Sequence, residues 1–273
     1  MKHDPTAYFG TAAHYLRGRP PYSADLVSVL RAECGLDGPG RLIDVGCGPG
    51  VLAVELAAQF GDIVGIDPDE AMLEEARRHA VANGVTTARW IAARAEQLAE
   101  LGVGPARLVT FGQSFHWTER ERVAEMVYDV LAPGGSMVTI VHDIHARQPP
   151  SPPPEPLIPH AGIHALIADY LGPTRRYGSG VLDLPDDSIE DALGRTRFGR
   201  PRTVYAPGRV DVIRNADEVV SNFLSMSFAA PPVFGDRLDA FVADLHAVLA
   251  ETSPDGLFWD WPGDTMILIA PKG

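Results

Sequence analysis

Short apolar runs alternate with helical spacings along the first half of the chain. Arg41-Leu42-Ile43-Asp44-Val45 has the pattern of a buried strand and runs directly into glycines. Val51, Leu52, Val54 and Leu56 then predict a helix that ends before Gly61. Ile63 to Ile66 predicts a second strand, closed by Asp67-Pro68. A helix is expected from about Asp69 to Ala82, stopped by Asn83-Gly84. Further strands are expected at Ala88–Ala92, Leu108–Phe111 and Met137–Val141. Between the last two, Val123, Met126, Val127, Val130 and Leu131 give a helix one apolar face. Thr118 and Glu121 have the spacing of a capping box at its start, and Pro133-Gly134-Gly135 should end it. Repeated strand–helix–strand units imply parallel strands joined by right-handed crossovers.

The pattern then changes. Seven prolines fall between Pro149 and Pro159, a stretch that can be neither helix nor central strand. Helical spacing returns at Ile163–Leu171 and again through Leu238, Phe241, Val242, Leu245, Val248 and Leu249. Thr265–Ile269 reads as a closing strand. The expected organisation is N-terminal lid helices over 1–38, a core over 39–148, a proline-rich cap over 149–195, and strands and helices over 196–273 that complete the core. At 273 residues the chain can hold one large α/β domain with a small cap. Its net charge of -13 disfavours a phosphate-backbone partner. No apolar run has the length of a membrane span and no secretory signal is evident, so the expectation is a cytoplasmic protein. Cys34 and Cys47 lack metal-ligand spacing, and a disulfide between them is not expected in a reducing compartment.

The informative segment is Asp44-Val45-Gly46-Cys47-Gly48-Pro49-Gly50, which leaves a strand and enters a helix. Glycines there permit positive φ and close approach of a ligand to the backbone. Asp67, 19 residues beyond Gly48 at the end of the next strand, is placed to accept hydrogen bonds from two ribose hydroxyls. A dinucleotide-binding turn would need glycine at its first, third and sixth positions. Counted from Gly46 the sixth position is Val51, so that pattern fails.

Leu42 to Gly50 resembles the first motif of class I S-adenosylmethionine (SAM)-dependent methyltransferases, and Asp67 resembles their acidic ribose ligand. The nearest group is the small-molecule enzymes that include ubiquinone and trans-aconitate methyltransferases. The resemblance covers roughly residues 8 to 143. It implies a Rossmann-like, mostly parallel seven-stranded sheet with helices on both faces, with a small cap inserted after the fifth strand. It also implies SAM as the cofactor and a small-molecule methyl acceptor. The Tyr15-Leu16-Arg17-Gly18-Arg19-Pro20-Pro21-Tyr22 segment matches one that precedes the first motif in relatives. By this resemblance Tyr15 covers the cofactor and Arg19 meets its carboxylate, a pairing that suits a guanidinium fork. Gly46, Cys47 and Gly48 line the methionine and ribose end, Asp44 orients the turn or meets the amino group, and Pro68 and Met72 pack along ribose and adenine. Relatives often carry Asp where this chain has Arg94, which leaves the Ala95 backbone N–H as the adenine contact.

Phe111 to Trp117 follows the fourth strand, where open α/β sheets face their ligand crevice. Gln113 is expected near the methionine amino group. Tyr8, Phe115, His116, Trp117 and His142 are expected around the acceptor. His116 is either a general base or a histidine that fixes its loop, and its ordinary pKa near neutrality suits the first role. His142-Asp143-Ile144-His145 raises the question of a metal, but adjacent strand residues point to opposite faces, and no metal is expected. Arg175, Arg176, Tyr177, Phe223, Met226 and Phe228 are candidate walls of the acceptor pocket. The function expected is methyl transfer to O, N or C of a small molecule, in secondary metabolism, by a monomer or homodimer. A quinone or carboxylic-acid methyltransferase and a non-catalytic SAM-binding module are the alternatives.

Overall fold

A computed structural model describes residues 6–36, 38, 40–143, 153–174, 176–177, 180–181 and 187–273. Seven strands form one sheet: β1 (Arg41–Val45), β2 (Asp62–Asp67), β3 (Ala88–Ala92), β4 (Ala106–Gly112), β5 (Leu131–Asp143), β6 (Arg202–Ala206) and β7 (Asp264–Pro271). Their order is β3-β2-β1-β4-β5-β7-β6. The first five are mutually parallel, and β7 runs antiparallel to both neighbours. The Rossmann-like, mostly parallel sheet implied by the resemblance is present. Chain order reverses beside β1, between β2 and β4, which opens a crevice at the carboxyl ends of those strands.

Each sheet face has its own core, as strand alternation requires. Ile43, Val45, Val64, Ile66, Val109 and Phe111 pack on one side with Val123 and Val127 of α5 (Arg120–Val130). Leu42, Ile63, Leu108, Val138 and Ile140 pack on the other with Leu26 and Leu30 of α2 (Leu26–Cys34) and Leu52 of α3 (Val51–Glu55). A third core joins Ile163 and Ile167 of α6 (His160–Leu171) to Phe223 of α8 (Ala216–Leu224) and Phe241 and Leu245 of α10 (Leu238–Thr252). The helix foreseen within the cap therefore shares a core with the C-terminal helices. Between them run α7 (Ile189–Gly194) and the single turn α9 (Pro231–Phe234). Of the cap's expected contacts, Pro149, Pro150, Pro152 and Arg175 lie outside the described residues, as does His145.

The capping box is a correction. Thr118 Oγ1 donates to the Phe115 carbonyl at 2.9 Å and makes no cap, while Glu121 pairs with Arg195 at 2.6 Å. The backbone N–H of Glu119 is instead taken by Glu96 Oε1 at 3.1 Å. The Thr118 N–H, which Glu121 was expected to take, donates instead to the Phe115 carbonyl at 3.1 Å. Pro133-Gly134-Gly135 is also not a separate turn, because β5 begins at Leu131 immediately after the helix. The strand shifts register against β4 between Ala106 and Leu108 to admit these residues. α4 (Glu70–Ala82) follows expectation, with Asp69 accepting from the Ala71 N–H at 2.9 Å and Gly84 in a left-handed conformation beyond its end.

The N-terminal segment is fastened over the crevice. α1 (Ala12–Gly18) crosses α8 so closely that a Cβ on Gly18 would lie 2.4 Å from Ser221 and Asn222 backbone atoms. Arg214, buried in an ion pair with Asp260, donates to the Arg17 carbonyl at 3.1 Å. Both cysteines are free thiols and buried. Among the described residues no helix is long and apolar enough to cross a membrane.

Trp90 on β3 lies flat across β2 at Gly65, where an added Cβ would sit 2.3 Å from the indole. The ring also covers Gly50, whose Cβ would meet it at 2.6 Å. Gly65→Ala is expected to destabilise the fold by about 1–3 kcal/mol through overpacking. A second change, Trp90→Leu, should recover part of that loss. Urea denaturation of the two variants checks this, and an unchanged midpoint for Gly65→Ala would contradict it.

Candidate functional site

The turn after β1 is built from three left-handed glycines, Gly46 (φ 64°), Gly48 (φ 52°) and Gly50 (φ 76°). Each is glycine for a different reason. A Cβ on Gly46 would lie 2.5 Å from the Ser114 Cβ, and one on Gly50 would strike Trp90. A Cβ on Gly48 would meet nothing within 4 Å, so only there does the backbone face open space. The Gly48 N–H donates to Asp67 Oδ2 at 2.8 Å, and the Asp69 N–H donates to Oδ1 at 3.0 Å. These bonds hold the carboxylate at the mouth of β2 with lone pairs to spare. Burial nevertheless pushes its pKa up to about 6 against the pull of those two donors.

Asp44, on β1, is deeper. Its Oδ1 accepts from the Thr110 hydroxyl at 2.8 Å, while Oδ2 is buried and makes no hydrogen bond among the described residues. Burial drives its pKa up to about 7, and the Asp67 charge adds to the rise. The Thr110 hydroxyl and the Ala53 backbone N–H oppose that rise only in part. A buried polar atom without a partner is costly, and around a crevice it marks where a ligand group fits.

Two cavities meet at this turn. The first, a solvent-open space of ≈ 780 Å³, is lined by Tyr8, Gly48, Asp67, Pro68, Met72, Arg94, Ala95 and Trp117, among others. The second, ≈ 950 Å³, is lined by Arg19, Tyr22, Asp44, Cys47, Leu52 and His142, among others. Tyr15, Gly46, Gly112 and Gln113 line both and form the passage between them. Gln113 is, among the described residues, the non-glycine residue held at positive φ, 54°, with its N–H bonded to the Ile140 carbonyl at 2.9 Å. That conformation costs of order 1–3 kcal/mol and occurs where the two cavities join.

Arg19 reaches the second cavity from the lid. Its Nη2 donates to the Ser225 carbonyl at 2.8 Å, its guanidinium lies 4.9 Å from the Tyr15 ring centre, and its Nε is buried with no partner among the described residues. His142, at the end of β5, stacks on Tyr22 with ring centres 4.9 Å apart. Burial lowers its pKa to about 4, so the ring is neutral at physiological pH. Tyr8 meets Trp117 edge-on at 5.6 Å, and burial raises its phenol pKa to about 12.

Other expected residues are placed elsewhere. Phe115, expected beside the acceptor, is instead fully buried against Phe111 at 5.0 Å in the core beneath the crevice. The turn over Phe115–Trp117 rotates it inward. His116 lines neither cavity; it packs on Trp117, and burial holds its pKa near 4. Phe223 belongs to the helical core, and Phe228 lines a separate hollow with His164 and Arg237. Arg94 contacts Glu96 at 3.5 Å while its N–H is taken by the Gln97 side chain. Among the described residues no cluster of His, Cys, Asp or Glu could hold a metal. Thr110, Ser114 and Tyr22 were given no role by the sequence reading. Ser114 Oγ, which donates to the Val45 carbonyl at 2.6 Å, braces the glycine turn from β4.

Residues 42–135 match a family described as a methyltransferase domain. A ubiquinone biosynthesis O-methyltransferase of Acinetobacter baylyi is 33% identical over 96 residues, 35% of this chain and 40% of that protein. Methyltransferase cfoB of Aspergillus candidus is 31% identical over 129 residues, 45% of this chain and 39% of that protein. The chain spans less than half the length of the curated relatives it matches first. A solved Bacillus halodurans structure, described as a candidate methyltransferase, aligns with TM-score 0.51 at 16% identity over 90% of this chain and 98% of that one. At that identity the likeness is one of fold.

The buried carboxyl of Asp44 leads to a prediction for the protein alone. Its folded pKa of about 7 lies above its ordinary 3.8. Between those values the native chain holds a proton that the unfolded chain has released. Its contribution to stability is therefore lost as pH rises through that window. Asp44→Asn keeps an acceptor for Thr110 and removes the ionisation. Its Tm relative to wild type should rise between about pH 5 and pH 8. Thermal melts across that range check it, and a constant difference would show that the carboxyl is not held neutral.

Proposed function

We propose, for a chain whose residues 42–135 match a methyltransferase domain, that the protein transfers a methyl group from SAM to O, N or C of a small-molecule acceptor. The observation that carries this reading is the pair of buried atoms beside the glycine turn. Asp44 Oδ2 and Arg19 Nε, both without partners among the described residues, line one cavity together with Gly46. An anion and a cation so placed complement the ammonium and carboxylate of an amino-acid tail. Asp67 at the end of β2 complements two ribose hydroxyls, and Gly48 lets the ligand reach the backbone. Pro68, Met72 and Ala95 offer an adenine the apolar walls of the first cavity. The residues present therefore fit SAM, which supplies an electrophilic sulfonium methyl when bound.

The protein's own contribution is alignment and exclusion of water, which can supply most of the acceleration of such a transfer. Tyr15 and Gln113, common to both cavities, are where donor and acceptor would meet. The net charge of -13 disfavours a nucleic-acid substrate. A ubiquinone biosynthesis O-methyltransferase and methyltransferase cfoB among the relatives support a small acceptor. A role in secondary metabolism fits the specialised cap.

Calorimetric titration of the cofactor-free chain with S-adenosylhomocysteine, with NAD as control, tests the reading. Binding of the first alone is expected. Asp67→Ala should weaken it by about 1–3 kcal/mol through loss of charge-assisted hydrogen bonds. Absence of binding in folded protein would overturn the reading, and unchanged affinity in Asp67→Ala would remove Asp67 from the site.

A further inference from the structure

Strand order decides which end of the crevice each part of a nucleoside ligand meets. Asp67 ends β2, Asp44 and Gly46 belong to β1 and its turn, and Arg94 follows β3 on the far side of β2. The Ala93 N–H donates to the Asp67 backbone carbonyl at 3.2 Å, so Arg94 stands beside the residue that suits a ribose. With a tail over β1 and a ribose at Asp67, the base is left against β3, among Pro68, Met72, Arg94 and Ala95. Arg94 has donors to spare there. Its Nε is buried and makes no hydrogen bond among the described residues, and Glu96 Oε2 is an ion-pair partner at 3.5 Å. Glu96 Oε1 is already engaged, accepting from the Glu119 N–H at 3.1 Å. Nη1 and Nη2 of Arg94 also bond to no described residue, and the side chain is 42% exposed, so the guanidinium tip is open to a ligand.

We propose that Arg94 sets the purine preference of the first cavity, which takes a 6-oxopurine nucleoside, the hypoxanthine counterpart of S-adenosylhomocysteine, at least as tightly as the adenine form. This rests on the methyltransferase reading and refines what its donor site accepts. A guanidinium only donates. The hypoxanthine edge that carries O6 and N7 only accepts, and a planar fork pairs with both atoms at once. The same edge of adenine carries an amino group at position 6, a donor facing donors. N7 alone is then left to accept, so adenine gains one bond where hypoxanthine gains two.

The neighbouring groups do not reverse this preference. Asp69 Oδ2 is buried without a partner among the described residues, but the carboxylate caps α4 through Oδ1 and its own N–H is bonded to Asp67. Asp69 therefore stays on the ribose side. Glu96 is the more buried member of its ion pair, 11% exposed, so the guanidinium is the more accessible face of that pair. The Ala95 N–H, the base contact expected from the sequence, is another donor. Pro68 and Met72 offer apolar walls that do not distinguish the two bases. Arg94 keeps its charge at every physiological pH, so the preference does not titrate away.

The test titrates the full chain calorimetrically with S-adenosylhomocysteine and with S-inosylhomocysteine, which differ only in the 6-substituent and the proton on N1. Wild type is expected to bind the inosine form with an equal or lower Kd. Arg94→Ala should weaken the inosine form about fivefold to tenfold, the low end for a bidentate contact because the group is partly exposed, and the adenosine form by a smaller factor. Arg94→Asp, whose carboxylate accepts from the amino group and repels O6, should favour the adenosine form by more than about tenfold. Thermal melts confirm that both variants fold, as expected for a partly exposed side chain. An adenosine preference beyond about twofold in wild type, or equal losses of the two ligands in Arg94→Ala, would overturn the proposal. Binding of neither ligand by folded wild type would instead overturn the methyltransferase reading.

Discussion

The structure is organised around two carboxylates that folding buries with incomplete compensation. Asp44 and Asp67 stand near the carboxyl ends of adjacent parallel strands, where chain order reverses. Desolvation raises the pKa of both. A stability-driven design would pair such groups fully or replace them with apolar ones. Here the Gly48 and Asp69 N–H groups satisfy Asp67 only in part, and the Thr110 hydroxyl and Ala53 N–H do the same for Asp44. The unfavourable remainder is what a complementary cation and hydroxyl donors can relieve on binding. Strain at Gln113 and the three left-handed glycines are of the same kind, local cost placed where a ligand is expected.

The lid turns that local chemistry into a property of the whole chain. Arg19 sits at the end of α1 and is held by the Ser225 carbonyl, beyond α8. The same short segment is gripped by Arg214 through the Arg17 carbonyl and by the close crossing at Gly18. Arg19, the lid residue that reaches the second cavity, therefore depends on the third, helical core for its position. Residues near 20 and near 220 meet above a crevice formed by residues 44 to 113. Fastening the lid to a module outside the sheet leaves the sheet free to hold the carboxylates rigidly.

Most of the sheet was legible because its signals are local. Runs such as Leu42–Val45 and Ile63–Ile66, each followed by glycine or proline, specify buried parallel strands, and Gly84 marks a helix end. The glycine turn was legible because its left-handed positions demand glycine, and the place of Asp67 because the apolar run before it ends there. The misreadings were of long-range competition. Thr118 and Glu121 have the right spacing for a cap, but the Phe115 carbonyl takes the Thr118 N–H and hydroxyl, and Arg195 donates to the Glu121 carboxylate. Phe115 follows a strand that points at the crevice, and nothing local says that a single turn will rotate it into the core. The reasons for Gly46 and Gly50 were equally hidden, since Ser114 and Trp90 come from other strands.

The comparison of the two histidines shows why chemistry must be read from placement. Both are buried and both have pKa values depressed to about 4, so titration alone does not distinguish them. His116 feels two arginines, Arg120 and Arg19, and no carboxylate, so a proton arriving there meets only repulsion. His142 feels Arg19 as well, but Asp260 and the Pro20 carbonyl both favour its protonated form. It also borders the second cavity, whereas His116 is shielded by Trp117 and the turn that carries it. Sequence order pointed first to the histidine after β4, but the histidine that borders a cavity stands at the end of β5.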